Sequence, residues 1–136
     1  MEVQMPADWS LLASIPAKDL QGTRRFYEDI LGCEVVMEDQ GGIGYRSGDS
    51  YFSLYATPFA GKAEHSLGAF VVRDVAAAVA GLQAKGVAFL DYDMPEVGVK
   101  TVDGIADIPN GMRIAWFRDP EGNILALSSI PEPPPS

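Results

Sequence analysis

The sequence has very few of the residues that build disulfides or metal centres. It contains one cysteine and one histidine among 136 residues. A single cysteine cannot form an internal disulfide, and without a CxxC pattern or a Cys/His cluster the sequence indicates no structural zinc site. Cys33 stands in LGCEVV, at the start of an apolar strand. We therefore expect it to be a buried, inert thiol.

Long hydrophobic runs and positive charge are also scarce. No run of about 18 apolar residues is present, so no membrane span is predicted. The N-terminal MEVQMPADWS lacks the basic region of a signal peptide, and we expect a cytoplasmic protein. The formal net charge is -9, from 19 acidic and 10 basic residues. This balance argues against nucleic-acid binding, and it fits either simple solubility or an acidic cleft for a cationic ligand.

Two similar halves follow one another along the chain. The first half, at about residues 10–60, is predicted to hold a helix at 20–31 after the cap Asp19. Its strands are predicted at 11–17, 33–39, 43–47 and 50–58. The second half, at about 65–130, repeats this order with a helix at 75–85 after Asp74. Its strands are predicted at 66–72, 87–93, 111–118 and 123–130.

The repeated order predicts an α+β fold of two βαβββ modules. One such module exposes an apolar sheet face, so two modules must share a core, and we expect residues 1–136 to form a single domain. A Gly/Pro-containing loop at 93–111, which could hold part of another strand, interrupts the second module. It is predicted to be a lid, an interface segment or a solvated charged loop. A proline-rich tail follows at 131–136.

Three segments resemble the vicinal oxygen chelate superfamily, which includes glyoxalases, extradiol dioxygenases and bleomycin-resistance proteins. They are IPAKDLQGTRRFYEDILG, VVRDVAAAVAGLQAKGV and WFRDPEGNILAL, and the resemblance spans about residues 10–130. It implies that the modules curl into a mixed-sheet cup with the active site inside. It also implies a homodimer.

Metal-dependent members of this superfamily place His, Glu or Gln on the first and last strand of each module, where they hold a divalent ion. The resemblance puts these positions at Leu12, Ser53, Leu67 and Ala126. None of the four offers an imidazole or a carboxylate. We therefore predict that the chain has no metal, no cofactor and no catalytic residue of the usual family kind.

His65 is the one weak catalytic candidate. It stands two residues before Leu67, so both side chains would face the same side of a strand. It could act as a general base or bind a ligand, because its charge titrates near neutral pH. This supports a second hypothesis, an enzyme of the lyase, isomerase or dioxygenase type with a non-standard centre. The simpler interpretation is an exposed loop histidine.

The remaining candidates predict an aromatic pocket. If Ser53 faces inward, Tyr51 and Tyr55 share its face. Tyr45 and Trp116 occupy corresponding strands, and each could line the cup or pack under a helix. The predicted ligand-binding residues are Leu12, Ser14, Tyr45, Tyr51, Ser53, Tyr55, His65, Leu67, Trp116 and Ala126. Such a pocket favours a small-molecule binding protein for a flat or apolar compound. The alternatives are tyrosines that simply pack against helices, and a non-binding structural dimer.

Overall fold

The first half of the chain folds into one helix and a four-stranded sheet. The computed structural model describes residues 9–109 and 111–130. The elements of this half, in chain order, are β1 (Ala13–Ala17), α1 (Leu20–Arg25) with a π-helical continuation (Phe26–Ile30), β2 (Glu34–Asp39), β3 (Gly42–Ser47) and β4 (Ser50–Ala56). The strand order is β1-β4-β3-β2. β1 runs parallel to β4, and the other neighbours are antiparallel.

The second half repeats this module and adds an insertion. Its elements are β5 (Ser66–Val71), α2 (Val75–Ala84), β6 (Phe89–Leu90), β7 (Asp93–Met94), a 3-10 turn (Pro95–Val97), β8 (Val99–Val102), β9 (Ile105–Asp107), β10 (Arg113–Arg118) and β11 (Ile124–Ser128). The sheet order is β5-β11-β10-β9-β8-β7, with β6 also paired to β10. The predicted α+β fold of two βαβββ modules is confirmed.

The insertion was predicted to be a long loop with part of another strand, but it contains three strands. Strands β7, β8 and β9 fold back on one another as antiparallel pairs and extend the second sheet. β9 takes the part of the β10 edge that the short strand β6 leaves unpaired. Backbone groups that a loop would expose to water therefore bond within the sheet.

Both helices begin at the predicted aspartates. The Asp19 carboxylate accepts a hydrogen bond from Gly22 N–H at 3.0 Å, and that of Asp74 accepts one from Ala77 N–H at 3.0 Å. The first helix differs from its prediction because its last turn is π-helical, with a bond of 2.9 Å from Leu31 N–H to Phe26 O. No helix within the described ranges is long and apolar enough to cross a membrane.

One apolar cluster lies between the helices and a single face of each sheet. The buried side chains of this cluster include Ile15, Ile43, Phe52 and Leu54 from the first sheet, Ala115, Phe117, Leu125 and Leu127 from the second, and Phe26, Tyr27, Val75 and Val79 from the helices. Successive strand residues point to opposite faces. The residues between these buried ones therefore lie on the face of each sheet that points away from the helices, which we name the open face.

The closing turn of the second module, residues 119–123, joins the two modules. The Tyr27 hydroxyl donates to Asp119 Oδ2 at 2.6 Å, and Asn123 Nδ2 donates to Pro16 O at 2.7 Å. The Glu121 carboxylate accepts bonds from the N–H groups of Lys18 and Asp19 at 2.8 and 2.9 Å. These bonds fix the start of α1, and with it the first sheet, against the second module.

Candidate functional site

The open face of the first sheet carries most of the predicted first-module residues. Ser14, Tyr51, Ser53 and Tyr55 alternate with buried neighbours along β1 and β4. Ser14 and Ser53 are direct partners across the parallel β1–β4 pair, so their side chains lie side by side. Both tyrosines are well exposed, at 53% for Tyr51 and 42% for Tyr55.

A cavity of about 570 Å³ lies on this open face. Its apolar walls come from Leu12, Val36, Met37, Tyr51 and Tyr55, and Ser53 stands among them. A volume in this range and a mainly apolar lining are typical of small-molecule sites. Leu12 and Met37 remain exposed at 54% and 65%, so the cavity is an open depression rather than part of the packed core.

The polar groups of the open face are available to a ligand. The hydroxyls of Ser14, Tyr51, Ser53 and Tyr55 bond to no other residue in the part of the chain that the structure describes. Glu38 and Asp39 border one end of the cavity. Glu38 is paired with Arg24 at 2.8 Å, and the Asp39 carboxylate accepts from Gly41 and Gly42 N–H. The cavity lining therefore offers the hydroxyls of Tyr51, Ser53 and Tyr55 and two carboxylates, whereas Ser14 lies on the same face outside the lining.

Two glycines in the cavity were missed by sequence reasoning. Gly42 lies outside the strand predicted at 43–47, but it begins β3, and Gly44 follows on the same face. Across β4 their partners are Tyr55 and Ser53. The signal in the sequence is the spacing of two between these glycines, which leaves the first half of one face of β3 without side chains.

Tyr45 is corrected as a ligand-binding candidate, because its side chain lies on the helix side of the sheet. It is fully buried and stacks on Tyr27 with ring centroids 5.9 Å apart. Its hydroxyl donates to Glu28 Oε2 at 2.8 Å. Burial, together with this hydrogen bond, raises the pKa of the Tyr45 phenol. Of the two placements that the sequence left open, packing under the helix is the one observed, and only the main chain of Tyr45 can border the cavity.

Trp116 and Ala126 lie on the open face of the second sheet, outside the cavity. They are direct partners across β10 and β11. Ala126 is only 3% exposed, and Ile124 and Ala106 on the same face are equally buried. Trp116 makes an edge contact with Tyr92 from the segment between β6 and β7, at 5.2 Å between ring centroids. Tyr92 therefore covers part of this face, and Ala126 offers almost no surface to a ligand.

Leu67 and His65 do not form the shared wall that their spacing predicted. The β5–β11 pair shifts register between Ile124 and Ala126, and Leu67 packs against the apolar cluster. His65 precedes β5, is exposed, and its Nδ1 lies 3.0 Å from the Ser66 carbonyl oxygen. The alternation rule fails here because the irregular pairing reorients the strand.

The comparisons with known proteins agree with this architecture. A profile described as Glyoxalase/Bleomycin resistance protein/Dioxygenase superfamily matches residues 10–127. The chain belongs to this superfamily. A search of the curated proteins finds no match.

Several solved structures share the fold of this superfamily member. Lactoylglutathione lyase from Agrobacterium tumefaciens has a TM-score of 0.68 at 18% identity, over 92% of this chain and 96% of that one. The bleomycin resistance determinant encoded on transposon Tn5 has a TM-score of 0.64 at 22% identity, over 88% and 96%. A glyoxalase/bleomycin resistance protein/dioxygenase from Alicyclobacillus acidocaldarius has a TM-score of 0.66 at 14% identity, over 93% of this chain and 94% of that one. At these identities the likeness is one of fold.

The residues at the superfamily's metal positions do not fit a divalent ion. Leu12, Ser53, Leu67 and Ala126 supply at most one hydroxyl, whereas divalent ions bind imidazole, carboxylate or thiolate groups. The four residues are also dispersed between the open faces of two sheets and the core. Within residues 9–109 and 111–130, no group of three or more His, Cys, Asp or Glu side chains could hold a metal ion.

Cys33 is no substitute for a missing catalytic group. It is buried, and burial raises the pKa of its thiol to about 11, although a hydrogen bond with Ser47 acts in the opposite direction. The thiol is therefore protonated at neutral pH, and a protonated thiol is a poor nucleophile.

Proposed function

We propose that this superfamily member is a metal-independent protein that binds a small apolar or aromatic molecule on the open face of its first sheet. The observation that carries the proposal is the cavity of about 570 Å³ lined by Leu12, Met37, Tyr51 and Tyr55. Burial of apolar ligand surface against these side chains supplies the affinity. The unbonded hydroxyls orient the ligand.

The acidic end of the cavity extends the proposed ligand class to compounds that carry a positive charge. Glu38 already forms an ion pair with Arg24, so Asp39 is the carboxylate available to a ligand cation. The formal net charge of -9 adds a favourable long-range attraction for a cation, which salt weakens.

A thermal-shift screen of aromatic and aliphatic compounds tests the proposal. A ligand that binds only the folded protein stabilises it by about 2.7 kcal/mol at one hundred times its Kd. We expect hits whose effect is unchanged after dialysis against EDTA. Confirmed hits are then measured by isothermal titration calorimetry.

Two matched substitutions locate the site. Ser53→Phe puts a large ring in the centre of the cavity and should abolish binding of the confirmed hits. Val102→Phe adds the same side chain to β8, where Val102 is 67% exposed, and should leave binding intact. Binding that survives Ser53→Phe, or that requires one bound metal ion per chain, contradicts the proposal.

A further inference from the structure

We infer that a second cavity, at the contact between the two modules, binds a neutral phenol with a single ring. This cavity has a volume of about 220 Å³ and is lined by residues of β1, β3 and β4 from the first module and of β5 and β11 from the second. We name it the junction cavity. It is a different site from the cavity of the proposed function, so either site can exist without the other.

The junction cavity lies on the helix side of the first sheet, opposite the open face. The residues of β1 that line it are Ala13 and Ile15, and those of β4 include Ser50 and Phe52. Because strand residues alternate between the two faces of a sheet, these four side chains share the face that carries the buried core. Ser53, by contrast, points to the open face.

The junction cavity extends from the protein surface into the apolar core. Its lining includes the buried side chains of Ile15, Phe52 and Leu125, whereas Leu11 at its edge is almost fully exposed. Gly68 of β5 also lines the cavity, and a Cβ built there would meet nothing within 4 Å. Side chains of the described residues therefore leave this space unfilled.

The size and the walls of the junction cavity favour a single aromatic ring. An apolar cavity of about 150 Å³ holds benzene, so the volume of about 220 Å³ accommodates one ring with a small substituent. Phe52 and Phe70 line the cavity and form an edge contact, with their ring centroids 6.2 Å apart. A ligand ring can add a further edge or face contact to this pair.

One serine gives the junction cavity a directional hydrogen-bond acceptor. Ser50 Oγ donates its proton to the Ser47 carbonyl oxygen at 2.9 Å, so the lone pairs of Oγ remain for a ligand. A phenol carries the proton that this acceptor requires, whereas an aryl ether lacks it. A carboxylate would bring another negative charge to a chain with a formal net charge of -9, which is unfavourable. The cavity therefore favours a neutral phenol.

Isothermal titration calorimetry with two probes tests this hydrogen bond. p-Cresol carries a phenolic hydroxyl, and in 4-methylanisole a methyl group replaces the hydroxyl proton. We expect the unmodified protein to bind p-cresol about fivefold more tightly, which is the effect of one hydrogen bond. Ser50→Ala should lower the affinity for p-cresol by about fivefold and leave the affinity for 4-methylanisole unchanged. Ser14→Ala, on the opposite face of the same sheet, should change neither affinity.

Two substitutions by phenylalanine locate the bound probe. Gly68 has no positive φ and has room for a Cβ, so Gly68→Phe should fill the junction cavity and abolish p-cresol binding. Val102→Phe adds the same ring to β8, outside the cavity, and should leave p-cresol binding intact. Circular dichroism reports whether each variant folds. If Gly68→Phe does not fold, the Ser50→Ala comparison provides the test.

The outcomes separate this inference from the proposed function. Tyr51 and Phe52 line both cavities, so the larger cavity is the competing place for the probe. If Ser53→Phe abolishes p-cresol binding and Gly68→Phe does not, the probe lies in the larger cavity and the inference is wrong. It is also wrong if p-cresol does not bind, or if Ser50→Ala affects both probes equally.

The opposite result supports the junction cavity. We expect p-cresol binding to survive Ser53→Phe and to be lost in Gly68→Phe. This result stands even if the compound screen finds no ligand for the larger cavity, in which case only the proposed function fails.

Discussion

At the scale of single residues, the Asp119 side chain accepts four hydrogen bonds. It is 5% exposed, and it accepts bonds from the N–H groups of Glu121 and Asn123, from Asn123 Nδ2 and from the Tyr27 hydroxyl. A buried carboxylate costs free energy unless hydrogen bonds compensate it. The sequence motif DPEGN therefore acts mainly as a structural junction between the modules.

Removing the Tyr27 hydroxyl should weaken this junction. Burial, and secondly the neighbouring Asp119 carboxylate, raise the pKa of the Tyr27 phenol, so the phenol remains a donor at neutral pH. We expect Tyr27→Phe to lower the free energy of unfolding by about 1.5 kcal/mol, because the lost bond has a charged acceptor. Urea denaturation measures this loss. Tyr55→Phe is the control, and equal effects of the two substitutions contradict the prediction.

Glu121 should contribute stability that depends on pH. Desolvation opposes its ionisation, but bonds from Lys18 N–H, Asp19 N–H and Thr23 Oγ1 hold the pKa of the carboxyl below its usual range. A group whose pKa is lowered on folding stabilises the native state above its unfolded pKa, about 4.3 for Glu. That contribution disappears as the pH falls through the folded pKa.

We therefore expect Glu121→Gln to cost about 1 kcal/mol at pH 7, similar to the loss of a helix cap. The difference from the unmodified protein should shrink in acid. Urea unfolding of both proteins at neutral and at acidic pH measures the difference in unfolding free energy at each pH. Glu64→Gln changes an exposed carboxylate and should have little effect at either pH. A Glu121→Gln difference that is independent of pH would argue against this role.

At the scale of elements, Gly61 attaches the linker between β4 and β5 to the closing turn of the second module. Gly61 donates its N–H to Asn123 Oδ1 at 3.0 Å. It has a φ of +77°, and a Cβ there would lie 2.2 Å from the Glu121 carbonyl oxygen. The linker therefore depends on glycine for two reasons, its left-handed backbone and its close approach to the closing turn.

Gly61→Ala and Gly48→Ala separate these two reasons. Gly48 also has a positive φ, +57°, but an added Cβ meets nothing within 4 Å. We expect Gly48→Ala to cost about 1 kcal/mol from backbone conformation alone, and Gly61→Ala to cost at least about 1 kcal/mol more because of the clash. Thermal or urea unfolding gives the comparison. If both variants lose a similar free energy of unfolding, the linker can move away from the Glu121 carbonyl oxygen at little cost, which contradicts the prediction.

Element boundaries show where sequence patterns succeed. The aspartate caps were predicted because capping depends on a few neighbouring residues. The π-helical turn at 26–30 was not predicted, and of the three strands in the insertion the sequence predicted only part of one. These depend on what packs or pairs against the segment, such as the β10 edge that is open to β9.

At the scale of the whole molecule, the two modules share a fold and differ in their open faces. The first module leaves Leu12, Met37, Tyr51 and Tyr55 exposed around a cavity, whereas Ile124 and Ala126 of the second module are buried. A repeated fold therefore does not imply a repeated binding surface. Within the described residues, the first module lines the cavity of about 570 Å³, and residues of both modules line a smaller cavity of about 220 Å³.

The predicted homodimer is tested at this scale. Large exposed apolar side chains on a soluble protein often mark an interaction surface, and closed two-fold dimers are the commonest assemblies. We expect sedimentation equilibrium to give twice the chain mass at micromolar concentration. We also expect the melting temperature to rise with protein concentration, because unfolding is then coupled to dissociation. A monomeric mass and a concentration-independent melting temperature contradict the dimer.

The sequence by itself determined the two βαβββ modules, the helix caps and the absence of metal ligands at the superfamily positions. These features follow from local patterns and from residue identity. Only the tertiary structure decided that Tyr45 packs under the helix of the first module, that Leu67 turns to the core, and that the Met37 side chain packs over Gly44. The period of a strand tells which residues share a face, but the partner that covers that face comes from elsewhere in the chain.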